Sequence, residues 1–135
     1  MHLERTLQPN KILVVDDEVS MVQVCQLILQ EAGHKVRGAV SGRQALRMID
    51  EEMPDFILLD IMMPGMNGIE VCRLIRQHHP SPHPVIVMYT ADGRAEVKAE
   101  SLAVGADACI TKQNPFHDLP QKINPYLIVD YSAVA

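Results

Sequence analysis

No run of about 18 apolar residues occurs in this chain of 135 residues, so no segment has the length of a membrane-spanning helix. Basic residues gather in no stripe, and the net charge is −5, which argues against nonspecific binding to nucleic acid or to an anionic membrane. Cysteine is scarce: Cys25, Cys72 and Cys109 are widely spaced, odd in number and form no C-x-x-C pair. They suit a reducing cytosol, as small core residues. The opening residues carry charge at His2, Glu4 and Arg5 but lack the apolar centre of a signal peptide, so export is not expected. Internal repeats and low-complexity segments are absent, and a content of 47% hydrophobic and 21% charged residues is far from that of a disordered chain.

What is present is one domain's length of chain. From Lys11 onward, short β-rich runs alternate with helical periods, the mark of βαβ units and a parallel sheet. Strands are predicted at Ile12–Val15, Lys35–Val40, Asp55–Leu59, Val85–Tyr89 and Ala108–Thr111. The fourth follows a stiff connector, Pro80-Ser81-Pro82-His83-Pro84. Met21, Val24, Cys25, Ile28, Leu29 and Ala32 share one face of a first helix, which Gly33 stops. Ser41 with Gln44, and Asn67 with Glu70, have the spacing of capping boxes; the helices they open bury Ala45, Leu46 and Ile49, and Val71, Cys72 and Ile75. A fourth helix over about 94–104 carries Ala95, Ala99, Leu102 and Ala103 on one side and stops at Gly105. Near the end, Phe116, Leu119 and Ile123 are spaced as in a helix, but Pro120 and Pro125 keep it short or kinked. We expect an N-terminal arm over 1–10, a domain over 11–125, and a tail or linker stub over 126–135.

Polar residues close the apolar strands. Phe56–Leu59 runs into Asp60, Ile12–Val15 into Asp16 and Asp17, Val85–Tyr89 into Thr90, and the last strand into Thr111-Lys112. In an open parallel sheet the carboxyl ends of the strands are where chemistry sits. If the first and third strands are neighbours, the three carboxylates converge, repel one another and call for a cation. Oxygen-only ligands in a site partly open to water favour Mg²⁺, which takes one or two carboxylates together with a phosphate. Lys112 adds a fixed positive charge opposite them, and a phosphoryl group fits between. Its transfer depends on positioning and charge neutralisation, and an aspartate carboxylate can be the nucleophile.

Taken together, Val14-Val15-Asp16-Asp17-Glu18, Leu59-Asp60-Ile61-Met62-Met63-Pro64-Gly65-Met66-Asn67-Gly68, Thr90-Ala91, Gly105-Ala106-Asp107 and Lys112 make a chain that resembles a response-regulator receiver domain of two-component signalling. The resemblance runs from about Lys11 to Phe116. It implies a flavodoxin-like, doubly wound, five-stranded parallel α/β sheet, strand order 2-1-3-4-5, with helices on both faces. It implies Asp60 as the phosphoacceptor, Mg²⁺ bound by Asp17, Asp60 and the Met62 backbone carbonyl, and Asp16 acting at least through water. Thr90 is then the hydroxyl that moves toward the phosphoryl group, and Lys112 pairs with its oxygens.

The implied protein is a cytoplasmic switch rather than an enzyme. Its phosphoryl donor is a phosphohistidine on a sensor histidine kinase or a histidine phosphotransfer protein. Its output domain or downstream partner docks on the fourth helix, fifth strand and fifth helix, and a homodimer stays open. The chain departs from the family at Cys109, where an aromatic switch residue is usual, and at Gln113-Asn114, which separate Lys112 from Pro115. Met62 and Asp92 stand two positions beyond Asp60 and Thr90, where the family is thought to tune phosphoryl lifetime. The rival readings are a pseudo-receiver, recognised without phosphorylation, and a flavin domain, whose phosphate these carboxylates would repel. His78, His79 and His83 read as a solvated loop, and Met62, Met63 and Met66 as a partly buried one.

Overall fold

Alternate residues within each apolar run go to opposite faces of one sheet, which is why the runs are continuous rather than alternating with polar residues. In the computed structural model, described over residues 2–3, 6–7, 10–80, 82–112, 118–127, 129–130 and 133–134, five parallel strands form this sheet. They are β1 (Lys11–Val15), β2 (Lys35–Ala39), β3 (Phe56–Leu59), β4 (Val85–Thr90) and β5 (Ala108–Thr111), in the order β2-β1-β3-β4-β5. That is the expected 2-1-3-4-5 winding. The expectations resting on Ser81, on Gln113-Asn114-Pro115 and on Phe116 lie outside the described residues.

Five helices connect and cover the strands: α1 (Val19–Glu31), α2 (Gly42–Glu51), α3 (Gly68–His78), α4 (Ala95–Ala103) and α5 (Leu119–Ile123). Leu13, Val15, Ile57, Leu59, Ile86 and Met88 pack on one side of the sheet with Ala45 and Ile49 of α2 and Val71, Cys72 and Ile75 of α3. Ile12, Val14, Phe56, Leu58, Val87 and Tyr89 pack on the other with Cys25 and Leu29 of α1 and Leu119 and Ile123 of α5. Each large side chain buried in this way is worth about 1.5–3 kcal/mol over leaving it in water.

Both expected caps form. The Ser41 side chain accepts from the Gln44 N–H at 3.1 Å, and the Asn67 side chain accepts from the Glu70 N–H at 3.0 Å. Gln44 reaches back one residue further than a capping box requires, its Oε1 accepting from the Val40 N–H at 2.8 Å. Gly33 and Gly105 take positive φ, 98° and 106°, just past the ends of α1 and α4. That conformation suits glycine, which has no Cβ to clash.

Two helical faces differ from the reading of the sequence. On α1, Val22 is buried with Cys25 and Leu29, whereas Val24 and Ala32 are exposed. The face that meets the sheet is therefore rotated from the most apolar one, and Gly38 of β2, against Val22 and Gln26, allows the close approach. On α4, Ala95, Ala99, Leu102 and Ala103 are exposed, while Ser101 is fully buried and Val97 and Val104 are partly so. Ser101 meets its hydrogen-bonding need by donating to the Val97 carbonyl at 2.8 Å, so a polar residue can face the core while alanines face water. His78 closes α3 rather than lying in a loop, and His83 precedes Pro84 through a cis peptide. The short fifth helix is as expected, continued by a 3₁₀ turn at Asn124–Tyr126. His2–Leu3 pairs antiparallel with Ala133–Val134, and Thr6–Leu7 with Val129–Asp130.

Where α1 returns to β2, the buried His34 accepts at Nδ1 from the Asn10 N–H at 3.2 Å, and burial lowers its pKa from the ordinary histidine value. A protonated Nδ1 cannot accept that bond. Histidine in the unfolded chain titrates near 6.5. The contribution is therefore complete above about that value and is lost as pH falls from it toward the lower folded pKa. Between about pH 7.5 and pH 5.5 the urea midpoint of the wild type should drop more than that of His34→Gln. Other titrating groups are common to both proteins and cancel in the difference; equal drops would show that His34 carries none of the dependence.

Candidate functional site

The sheet register itself brings the acids together. Val15 of β1 pairs with Leu59 of β3, so the next residues, Asp16 and Asp60, are neighbours beyond the strand ends. Their backbones continue the ladder: Asp16 N–H donates to the Ala39 carbonyl at 3.1 Å, and Asp60 N–H to the Val15 carbonyl at 2.9 Å. Carboxylate oxygens of Asp16, Asp17 and Asp60 lie within 4.8 Å of one another. Asp16 and Asp60 are buried, at 2% and 5% exposure, and Asp17 is exposed. The group is thus sealed on two sides and open on the third.

Lys112 answers the two buried acids. Its Nζ lies 2.6 Å from Asp16 Oδ2 and 3.4 Å from Asp60 Oδ1. The Thr90–Thr111 pairing of β4 with β5 sets its height, and the Lys112 N–H donates to the Thr90 carbonyl at 2.7 Å. Tyr89 lies beneath the ammonium, with the ring centroid 5.9 Å away, within range of a cation–π attraction. Burial raises the Asp60 pKa to about 6; the Lys112 charge and hydrogen bond and a hydrogen bond from the Met62 backbone oppose the rise, and the Asp16 charge adds to it. Burial works against the Lys112 charge, but the hydrogen bond to Asp16 and the two acidic charges outweigh it and hold the ammonium above its ordinary pKa.

The turn after Asp60 is tight. Gly65 takes φ +75°, and the Gly68 N–H donates to the Ile61 carbonyl at 2.9 Å. A Cβ at Gly68 would fall on the Asp60 carbonyl oxygen, so only glycine lets α3 start this close to the site. Met63 is buried by this turn and Met66 partly so, whereas Met62 is 69% exposed. Thr90 is fully buried, and its Oγ1 accepts from the Asp92 N–H at 3.1 Å.

Asp16, Asp17, Asp60 and Lys112 thus converge as expected, with Thr90 at the adjoining strand end. Three carboxyl groups against one ammonium make an acid-rich, oxygen-only donor set with one exposed member. That composition fits a hard cation such as Mg²⁺, which the Asp16, Asp17 and Asp60 group could hold. Two contributors escaped the sequence reading. The close approach at Gly68 has no local signal. The grip of Arg94 on Asp92 has one, because aspartate accepts readily from the N–H two residues on.

An open parallel sheet with acids and a lysine at its switch point places the protein among the α/β proteins whose ligand sites lie at the carboxyl ends of the strands. The model of the response regulator receiver domain matches residues 12–124, and the chain belongs to that family. Chemotaxis protein CheY4 of Vibrio cholerae has a TM-score of 0.83 and 32% identity, over 89% of this chain and all of that one (100%). Response regulator TrrA of Thermotoga maritima, solved in complex with Mg²⁺ and BeF, has a TM-score of 0.76 and 33% identity, over 87% of this chain and 98% of that one. NtrX of Brucella abortus has a TM-score of 0.79 and 29% identity over 87% of this chain, which spans 27% of that protein. Receiver domains serve two-component signalling, between histidine kinases and output domains.

Replacing Lys112 by alanine leaves the Asp16 carboxylate buried beside Asp60 without its cation. Breaking a buried pair from one side costs roughly 3–5 kcal/mol, so Lys112→Ala should lower the unfolding free energy by about that much, read from urea titrations without divalent cation. Gly68→Ala should cost about 2 kcal/mol or more, because backbone must shift to admit the Cβ. Wild-type stability in either variant would contradict the packing described.

Proposed function

We propose that Asp60 accepts a phosphoryl group from a phosphohistidine on a sensor histidine kinase or histidine phosphotransfer protein, in a step that needs Mg²⁺. The observation that carries this reading is the convergence of Asp16, Asp17 and Asp60 within 4.8 Å, with the Lys112 ammonium 3.4 Å from the Asp60 carboxylate. With a pKa of about 6, Asp60 is largely ionised at neutral pH and can act as a nucleophile. Its oxygen bonds to phosphorus as the bond to the donor imidazole breaks, and the electron pair leaves with the imidazole nitrogen. Bound by Asp17, Asp60 and the Met62 carbonyl, with Asp16 acting through water, Mg²⁺ would neutralise charge on the phosphoryl oxygens.

Lys112 supplies the fixed positive charge on the other side and is tethered for it by Asp16. The Thr90 hydroxyl, one strand over, is the donor that turns toward the new oxygens. The added charge shifts a resting equilibrium toward an active form. To invert a 1:99 population the phosphoryl group must favour the active form by about 5.5 kcal/mol. The altered face is built by α4, β5 and α5, where the output partner docks. On this reading the protein is a cytoplasmic signalling switch, not an enzyme acting on a separate substrate.

Incubation with Mg²⁺ and acetyl phosphate should give one phosphoryl adduct by intact mass, absent in Asp60→Asn. No adduct under these conditions would instead make the chain a phosphorylation-independent interaction module. The exposed apolar Met62, two positions beyond Asp60, would hinder an attacking water. Met62→Asn should therefore shorten the adduct's half-life, and equal half-lives would remove Met62 from that role.

A further inference from the structure

Two consecutive side-chain turns close the segment between β4 and α4. The Asp92 N–H donates to Thr90 Oγ1 at 3.1 Å, and the Arg94 N–H donates to Asp92 Oδ1 at 3.1 Å. The Arg94 guanidinium then grips the same carboxylate. Its Nε donates to Oδ1 at 2.9 Å and to Oδ2 at 3.1 Å, and its Nη2 donates to Oδ2 at 2.7 Å. Such a two-point grip fixes orientation as well as distance, which a lysine in the same place would not do. These hydrogen bonds hold the Asp92 carboxyl below its ordinary pKa, so the grip persists across the neutral range.

Arg94 is also the N-cap of α4, and its carbonyl accepts from the Val97 N–H at 3.1 Å and the Lys98 N–H at 3.2 Å. A continuous line therefore runs from the buried Thr90 hydroxyl through Asp92 and Arg94 to the first turn of α4. Among the described residues, the neighbouring strand β5 shows no such chain of hydrogen bonds to α4. Cys109 of β5 is partly buried and presents only a small thiol.

We propose that the line Thr90–Asp92–Arg94 carries the state of the phosphoryl site to α4, with Arg94 as the positioning residue that makes the line stiff. When the Thr90 hydroxyl is drawn toward new oxygens on Asp60, the Asp92 N–H bonded to it must follow or let go. With the Asp92 carboxylate clamped to Arg94, displacement passes to the Arg94 carbonyl and so to α4. Without the clamp, rotation within the segment absorbs it. The stimulus rests on the reading of Asp60 as phosphoacceptor, whereas the linkage is already present in the resting protein.

The test is a double-mutant cycle read by amide hydrogen exchange at Val97 and Lys98, the two N–H groups on the Arg94 carbonyl. Thr90→Val, nearly isosteric, should lower their protection about fivefold in the wild-type background and leave it almost unchanged in Arg94→Gln. An equal loss in both backgrounds, or none in either, overturns the proposal. Arg94 is exposed and an exposed ion pair adds little to global stability, so Arg94→Gln should keep the wild-type urea midpoint. A second arm uses Mg²⁺ and acetyl phosphate. Wild type and Arg94→Gln should take the same adduct by intact mass, but only wild type should show altered amide shifts at Val97 and Lys98. Full shifts in the variant overturn the proposal. If wild type takes no adduct, the phosphoacceptor reading fails, and the cycle alone decides the linkage.

Discussion

Asp16 and Asp60 are buried side by side where β1 and β3 end, and every other feature of the site answers that placement. Two like charges out of water raise each other's cost, which is why burial together with Asp16 pushes the Asp60 carboxyl up to about 6. Lys112 meets part of the demand from β5, on the far side of β4, so two strand registers must both be right for it to reach. The remainder is negative charge that a cation beside the exposed Asp17 could offset. A site with this unmet charge is held ready for ligands rather than optimised for stability, as expected where pKa values are displaced by design of the fold.

That arrangement constrains the surroundings as well. Gly68 has no side chain because α3 must begin against the Asp60 carbonyl, and Ile61 and Met63 turn inward to seal the turn between them. Thr90 is fully buried with its hydroxyl joined to the backbone of Asp92, so the residue nearest the site on β4 is part of the connection to α4. α4 itself rests on Val97, Ser101 and Val104 and turns its alanines outward. A helix held by so few buried side chains is among the elements of the fold that are easiest to displace.

The winding was legible because each strand is a short apolar run and each connection carries a helical period with its own stop. Gly33 and Gly105 end helices in the φ that glycine tolerates, and Ser41 and Asn67 begin them by accepting from the N–H three residues on. Helix faces were less legible. Hydrophobicity alone chose Val24 over Val22 on α1 and the alanines over Ser101 on α4. Gly38 admits Val22, and Ser101 satisfies its own hydroxyl within the helix, so neither choice follows from apolarity.

The order of residues by itself determined the elements and the acids, hydroxyl and lysine that end the strands, because periodicity, caps and strand ends are local properties of a few neighbouring side chains. Only the tertiary structure decided that Lys112 bonds to Asp16 more closely than to Asp60, that Gly68 lies against the Asp60 carbonyl, and that Arg94 closes a line from Thr90 to α4. The first two depend on register and approach between segments far apart in the chain. The third depends on a backbone turn whose partner atoms are close in sequence but meet only when β4 and α4 are both in place.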